Sequence, residues 1–387
     1  MSRDSIRLAL SNGRVLTPGG IVDNQVLLIS GSRIEALVAP EDARCRDAVV
    51  EDLDEQLLLP GFIDTQVNGG GGVLFNDKPD VETIRAIGAA HRRFGTTGFL
   101  PTLISDDLDT IARAIAAVDA AIAAGLPGVL GIHIEGPFLN SARKGIHDAK
   151  QLLRLDEKLI PMLCALKAGR TLLTLAPEMT TPAIIRQLSA AGAIIAAGHT
   201  NATFDETNAA IAAGLTGFTH LFNAMSPLGS REPGVVGAAL YDQSTWCGLI
   251  VDGHHVNPVT LKLALRCRRR DRFVLVTDAM APVGTDSVSF VLQGQTIQVV
   301  DGVCRDQSGT LAGTVLDMAQ AVRNAVDLLD LKLPDAVRMA SEYPAHYLGL
   351  GQELGRIVPG YRANLVLVDD HLGVQRSWIE GEKYSCK

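Results

Sequence analysis

Residues 131–140 read GIHIEGPFLN, and the first half of this stretch decides the fold. Gly131 to Glu135 alternates as a strand does, and Gly136-Pro137 stops it, which leaves a carboxylate at the strand's carboxyl end. In a sheet or barrel of parallel strands, that end is where ligands and metals bind. Glu135 therefore asks for a cation or a proton-transfer partner.

Seven further apolar runs share the rhythm of this one. They are GFIDTQV (61–67), TGFLPTL (97–103), TLLTLAPE (171–178), AIIAAGH (193–199), GFTHLF (217–222), CGLIVDG (247–253) and FVLVTDA (273–279), with GVLGIHIE (128–135) as the third of eight. Helical stretches separate them, such as VETIRAIGAAHRRF, ended by Gly95, and DTIARAIAAVDAAIAA, ended by Gly125. Strand-then-helix alternation signals a parallel sheet with crossover helices, and eight units predict an α/β fold, a closed (β/α)8 TIM-like barrel. The segment SVSFVLQGQTIQVVDGVC (287–304) breaks the pattern and reads as an inserted hairpin after the eighth strand.

Both ends of the chain differ from this middle. Residues 1–57 read as short strands joined by polar turns, and 355–387 have the same character, in GRIVPGYRANLVLVDD and SWIEGEKY. The expected organisation is a small β-sandwich domain formed by both termini (1–57 and 355–387) around a hydrolase barrel at 58–354.

Composition narrows the function class. The chain has 387 residues, of which 47% are hydrophobic, 20% charged and 4% aromatic, with 38 glycines. That describes a well-buried, enzyme-like body. A formal net charge of -8 with no basic run argues against a nucleic-acid partner. The six cysteines (Cys45, Cys164, Cys247, Cys267, Cys304, Cys386) include no C-x-x-C pair, which suits a reduced, cytoplasmic compartment better than a disulfide framework or thiolate zinc site. The opening MSRDSIRLAL lacks an apolar leader core, and no apolar run reaches about 18 residues, so neither export nor a membrane span is expected.

The polar residues at strand ends then fall into line. Glu135 ends the third strand, His199 the fifth and Asp278 the eighth, while His220 lies near the end of the sixth. A lone histidine in an apolar strand is more often a hydrogen-bonded packing residue than a ligand, and Glu135 or Asp278 could serve as a turn or helix cap. Four such residues at strand ends weigh against coincidence. One carboxylate and two imidazoles make a divalent transition-metal site with open positions, beside an aspartate able to act as base.

The motifs PGFIDTQVNGGGGVLFND (60–77), HIEGPF (133–138), AGHTNA (197–202), THLFNAMSPL (219–228), DGHHV (252–256), VTDAM (276–280) and LAG (311–313) run through nearly the whole chain. In this ordered set the chain resembles the N-acetylglucosamine-6-phosphate deacetylases of the amidohydrolase superfamily. The resemblance implies a barrel with a β-sandwich from both termini, and a metal-activated water that removes the acetyl group from N-acetyl-D-glucosamine 6-phosphate. The N-acetylgalactosamine-6-phosphate deacetylases, which act on an epimeric sugar, are the alternative within the class. A non-catalytic sugar-phosphate-binding scaffold is the alternative outside it, disfavoured because metal ligands and base are all retained.

Carried over position by position, Glu135, His199 and His220 match the metal ligands and Asp278 the general base, then acid. His147, in KGIHDA, matches a histidine that polarises or holds the acetamide carbonyl. Asn223, Ala224, Arg231, His255, Leu311, Ala312 and Gly313 match contacts to the sugar phosphate, with Arg231 reaching the neighbouring subunit's site in a homodimer. Many amidohydrolases carry H-x-H at the end of the first strand, where this chain has Gln66 and Asn68. Amides bind transition metals poorly, so these are read as vacant second-metal positions, and one divalent metal per subunit is expected: zinc or iron(II), with manganese or cobalt also acceptable to the ligand set. His133, on the Glu135 strand, is left as a packing or supporting residue. Gly69–Gly72 lacks the G-x-x-x-x-G-K spacing of a phosphate cradle and reads as a flexible loop.

Overall fold

The barrel strands follow from runs that are buried along nearly their whole length, as parallel strands covered on both faces require, with Thr216 the one exposed position. In the computed structural model, which describes residues 7–385, they are β1 (Phe62–Val67), β2 (Thr96–Ile104), β3 (Gly131–Glu135), β4 (Arg170–Leu175), β5 (Ile194–Ala197), β6 (Leu215–Phe218), β7 (Trp246–Leu249) and β8 (Phe273–Leu275). Each pairs in parallel with the next in chain order, and all eight expected runs supply one strand. The ring closes just past β8. Val67 bridges Ala279, the Asp278 amide donates to the Gln66 carbonyl at 3.0 Å, and the Asn68 amide donates to the Ala279 carbonyl at 2.9 Å. Closure therefore happens at the carboxyl ends, where the candidate base lies.

Helices start where the sequence places a cap. Asp80 accepts from the Thr83 amide at the start of the Val81–Arg92 helix, and Asp107 from the Thr110 amide at the start of Leu108–Ala123. The expected terminators Gly95 and Gly125 both take positive φ, +83° and +67°, which glycine adopts without a Cβ penalty.

The two termini do build one β-sandwich. Its four-stranded sheet comes from the amino-terminal part alone, and its six-stranded sheet joins Arg14–Thr17, Gly20–Val22 and Leu57–Pro60 to the carboxyl-terminal strands Leu365–Val368, Val374–Ile379 and Glu382–Ser385. Leu57–Pro60 pairs antiparallel with Leu365–Val368, so this sheet takes in residues beyond 57 and hands the chain to β1 only after Gly61. Leu10, Leu27, Ile29, Leu58, Leu365 and Trp378 form a core separate from that of the barrel. The MSRDSI opening and Cys386 lie outside the described residues, and the other five cysteines are free thiols. Among the described residues, no helix is long and apolar enough to cross a membrane.

Two segments depart from their sequence reading. The insertion after β8 is a four-stranded antiparallel sheet rather than a hairpin, with Leu311–Thr314 as its last strand. That strand joins the barrel rim, because Thr314 bridges Ala279 and its amide donates to the Asp278 carbonyl at 2.9 Å. The glycine run is an ordered hairpin in which Gly69–Gly70 pairs with Val73–Leu74 and the Gly69 amide donates to the Ala279 carbonyl. The glycines serve close packing: a Cβ on Gly69 would overlap the Val73 carbonyl and the Ala281 amide.

Candidate active site

Backbone conformation at the strand ends turns the site residues inward. His199, His220 and Asp278 have φ of +48°, +34° and +52°, and Ala224 has +49°. Non-glycine residues rarely occupy this left-handed region, and they persist there only when the surroundings dictate it. The surroundings do. Glu178, just past β4, accepts from the Asn201 amide (2.6 Å), the Thr200 hydroxyl (2.6 Å) and the Asn140 side-chain amide (2.9 Å), while the Asn140 backbone amide donates to the His199 carbonyl (2.9 Å).

The result is a convergence of three buried donors. Glu135 Oε1 stands 3.2 Å from His199 Nε2 and 3.0 Å from His220 Nε2, and the two Nε2 atoms are 3.0 Å apart. Ligands at 2.0–2.1 Å around a tetrahedral zinc stand about 3.3 Å from one another, so this spacing fits a single ion. His199 Nδ1 lies 2.9 Å from the Arg143 carbonyl. A carbonyl only accepts, so Nδ1 carries the proton and Nε2 offers its lone pair to the site. Among the described residues, no other group of three His, Cys, Asp or Glu side chains converges in this way.

Electrostatics follow from burial. Burial alone would raise the Glu135 carboxyl, but the imidazoles of His199 and His220 beside it hold it well below its ordinary range. For His220 the same carboxylate outweighs burial and raises the imidazole. Asp278 differs: burial first, then the Glu135 charge, push it up to about 6. His147 is held neutral, because burial drives its pKa well below the usual histidine value.

Gln66 and Asn68 occupy the ground between the acids. The Gln66 amide nitrogen lies 3.1 Å from both Glu135 Oε2 and Asp278 Oδ1, and the Asn68 amide nitrogen 2.6 Å from Asp278 Oδ1. Gln66 thus links the two carboxylates through a neutral amide group, and Asn68 adds a second donor to Asp278.

A cleft of about 340 Å³ opens above these groups, lined by Glu135, His147, His199, His220, Asn223, Ala224, His255, Asp278, Leu311 and Gly313. That volume suits a small polar metabolite. His255 Nδ1 is 2.6 Å from Asp252 Oδ2, which orients the ring. Two expected residues lie elsewhere: Ala312 is fully buried in the apolar cluster with Met280 and Ile297, and Arg231 is exposed and outside the cleft of its own chain. His133 packs beneath the site, with its nitrogens 3.2 Å from the Thr102 hydroxyl and 2.8 Å from the Thr174 hydroxyl.

The amidohydrolase family model matches residues 57–385. The chain belongs to the amidohydrolase family. Within that family it is 44% identical over 97% of its length to an N-acetylgalactosamine-6-phosphate deacetylase from Shewanella sp. (strain ANA-3), covering 95% of that protein. It is 34% identical to the N-acetylglucosamine-6-phosphate deacetylase of Haemophilus influenzae, across 97% of this chain and 99% of that one. The crystal structure of N-acetylglucosamine-6-phosphate deacetylase from Pasteurella multocida superimposes with a TM-score of 0.94 at 35% identity, covering 98% of this chain and all of that one. As an amidohydrolase, the protein is a hydrolase, and its Glu/His/His cluster marks a divalent-metal site.

Two supporting residues escaped the sequence reading. Asp64, buried in β1, accepts from the Thr277 hydroxyl and from the Gln66 and Thr277 amides (3.2 and 3.3 Å), fastening both sides of the barrel seam beside Asp278. Burial raises it to about 7. The signal for Asp64 was an acid inside an otherwise apolar strand. Glu178 offered none beyond its place at a strand end.

Proposed function

We propose that this amidohydrolase removes the acetyl group from N-acetyl-D-glucosamine 6-phosphate, giving D-glucosamine 6-phosphate and acetate in amino-sugar catabolism. The convergence of Glu135, His199 and His220 beside Asp278, in a cleft sized for a hexose phosphate, carries the reading. Those three side chains would hold one divalent ion, zinc or iron(II) fitting the nitrogen-rich donor set best. Such an ion supplies Lewis acidity, enough to lower a water's pKa from 15.7 to about 7.

The remaining work belongs to the chain. Neutral His147 donates to the acetamide carbonyl, aligning it and stabilising the charge that develops on its oxygen. Asp278, ionised at neutral pH, accepts the proton of the attacking water and returns it to the departing amine nitrogen, a role typically worth 10²- to 10⁴-fold in rate. Gln66 and Asn68 keep Asp278 aimed by donating to Oδ1. Asn223, Ala224, His255, Leu311 and Gly313 hold the sugar phosphate. Arg231 is contributed by a second copy in a homodimer, where its planar fork suits a phosphate.

A specific observation favours a second reading. Identity is higher to the relative named N-acetylgalactosamine-6-phosphate deacetylase (44%) than to the one named N-acetylglucosamine-6-phosphate deacetylase (34%), so the 4-epimer is a competing substrate. Purified, metal-loaded protein should release acetate from both sugar phosphates, and the ratio of kcat/KM identifies the preferred epimer. Failure to release acetate from either would overturn the assignment.

A further inference from the structure

His147 must present a proton to the acetamide oxygen if it is to polarise it. A neutral imidazole carries only one proton, so the tautomer matters. Its Nδ1 is 2.7 Å from the hydroxyl of Ser105 and 3.3 Å from the Ser105 backbone amide, which donates to it. Ser105 and His147 are both buried, at 1% and 2% exposure.

The backbone amide decides the direction. An N–H group is only a donor, and no other acceptor takes this one among the described residues, so Nδ1 must accept. The hydroxyl then also donates to Nδ1, and the single ring proton is left on Nε2. Among the described residues Nε2 has no protein partner, and His147 lines the cleft.

Ser105 is itself held from two directions. A Cβ on Gly136, at the end of the Glu135 motif, would overlap its hydroxyl, so glycine there is what admits the serine. Gln293, at the first turn of the inserted sheet with φ of +49°, donates through Nε2 to the Ser105 carbonyl (2.7 Å) and accepts through Oε1 from the Asp148 amide (2.9 Å). One side chain of the insertion thus ties the end of β2 to the residue after His147.

We infer that Ser105, locked by Gln293, is a positioning residue that fixes His147 as the Nε2–H tautomer and so makes it a donor to the scissile carbonyl. This rests on the deacetylase reading of the site. It also gives the insertion a role, since a hairpin tip far from β2 in sequence completes the support of the electrophile.

The test combines a spectrum with kinetics. Zinc-loaded protein carrying isotope-labelled histidine is examined by NMR, with the His147 signals assigned by their loss in His147→Gln. The expected spectrum has an unprotonated Nδ1 and a protonated Nε2. Ser105→Ala should lower kcat by about 10- to 100-fold with KM changed less than about threefold, the usual range for groups that orient a functional histidine. Ser105→Thr, which keeps the hydroxyl, should restore most of kcat. A proton on Nδ1, wild-type kcat in Ser105→Ala, or no rescue by threonine would each overturn the inference. If the wild type hydrolyses neither sugar phosphate, the substrate assignment fails, while the proton's position on His147 still decides this proposal.

Discussion

Asp278 shows what a single residue owes to its surroundings. Burial and the neighbouring Glu135 charge raise its pKa to about 6, while amides from Gln66 and Asn68 steady one of its oxygens. A base must be ionised to act, so kcat/KM should rise with pH along an acid limb and level off above it. A bound cation favours the carboxylate, so the midpoint should lie no higher than about 6. A limb centred above pH 7 would point to another base. Asp278→Asn should keep metal and ligand binding while turnover falls by about 10²- to 10⁴-fold. Glu135→Ala should act the other way round, with metal content falling from near one per chain and activity following. Two tightly bound ions in the wild type would contradict the role of Gln66 and Asn68 as neutral donors. Glu135, His199, His220 and Asp278 were legible because polar residues at the ends of apolar runs are conspicuous. Ser105 was not, because its partner His147 comes from a loop 42 residues away in sequence, and Glu178, though it too ends an apolar run, gave no sign of its partner 22 residues on.

At the scale of elements, the hairpin at Gly69–Leu74 shows where local reading fails. Four glycines in a row suggest freedom, yet His91 of the Val81–Arg92 helix holds the Gly69 carbonyl through Nε2 at 2.8 Å, and Asn68, just before it, reaches Asp278. Burial lowers the His91 pKa to about 4, below its unfolded value near 6.5. The folded protein therefore holds fewer protons than the unfolded chain between those values. The contribution of His91 is complete above about pH 6.5 and is lost as pH falls toward 4, by about 1 to 3 kcal/mol. Thermal melts of wild type and His91→Gln at pH 7 and pH 5 should show the wild type losing more stability on acidification; equal losses would dismiss the effect. At the seam, Asp64→Ala strands the buried Gln66 and Thr277 amides, and should cost about 1 to 3 kcal/mol.

The whole molecule raises the question of Arg231, exposed and outside its own chain's cleft. If a second copy receives it, sites are shared, and complementation can show this. Arg231→Ala and Asp278→Asn chains, each nearly inactive alone, should regain about a quarter of wild-type activity when unfolded and refolded together, since half the dimers are hybrids with one intact site. No recovery would place Arg231 in its own chain's chemistry or in none.

The elements and their direction are written in the local pattern of the chain. Eight apolar runs spaced by helices leave little but a parallel barrel, because parallel strands bury both faces and need crossover connections. That pattern also determined which end would carry the chemistry, since every strand finishes on the same rim. How that chemistry is held depends on the folded chain. The left-handed turns at His199, His220 and Asp278, the seam clamp of Asp64 and the Gln293–Ser105–His147 chain all join residues distant in sequence. A hydrogen bond between such groups leaves no periodicity behind, because its partners meet only once the barrel has closed.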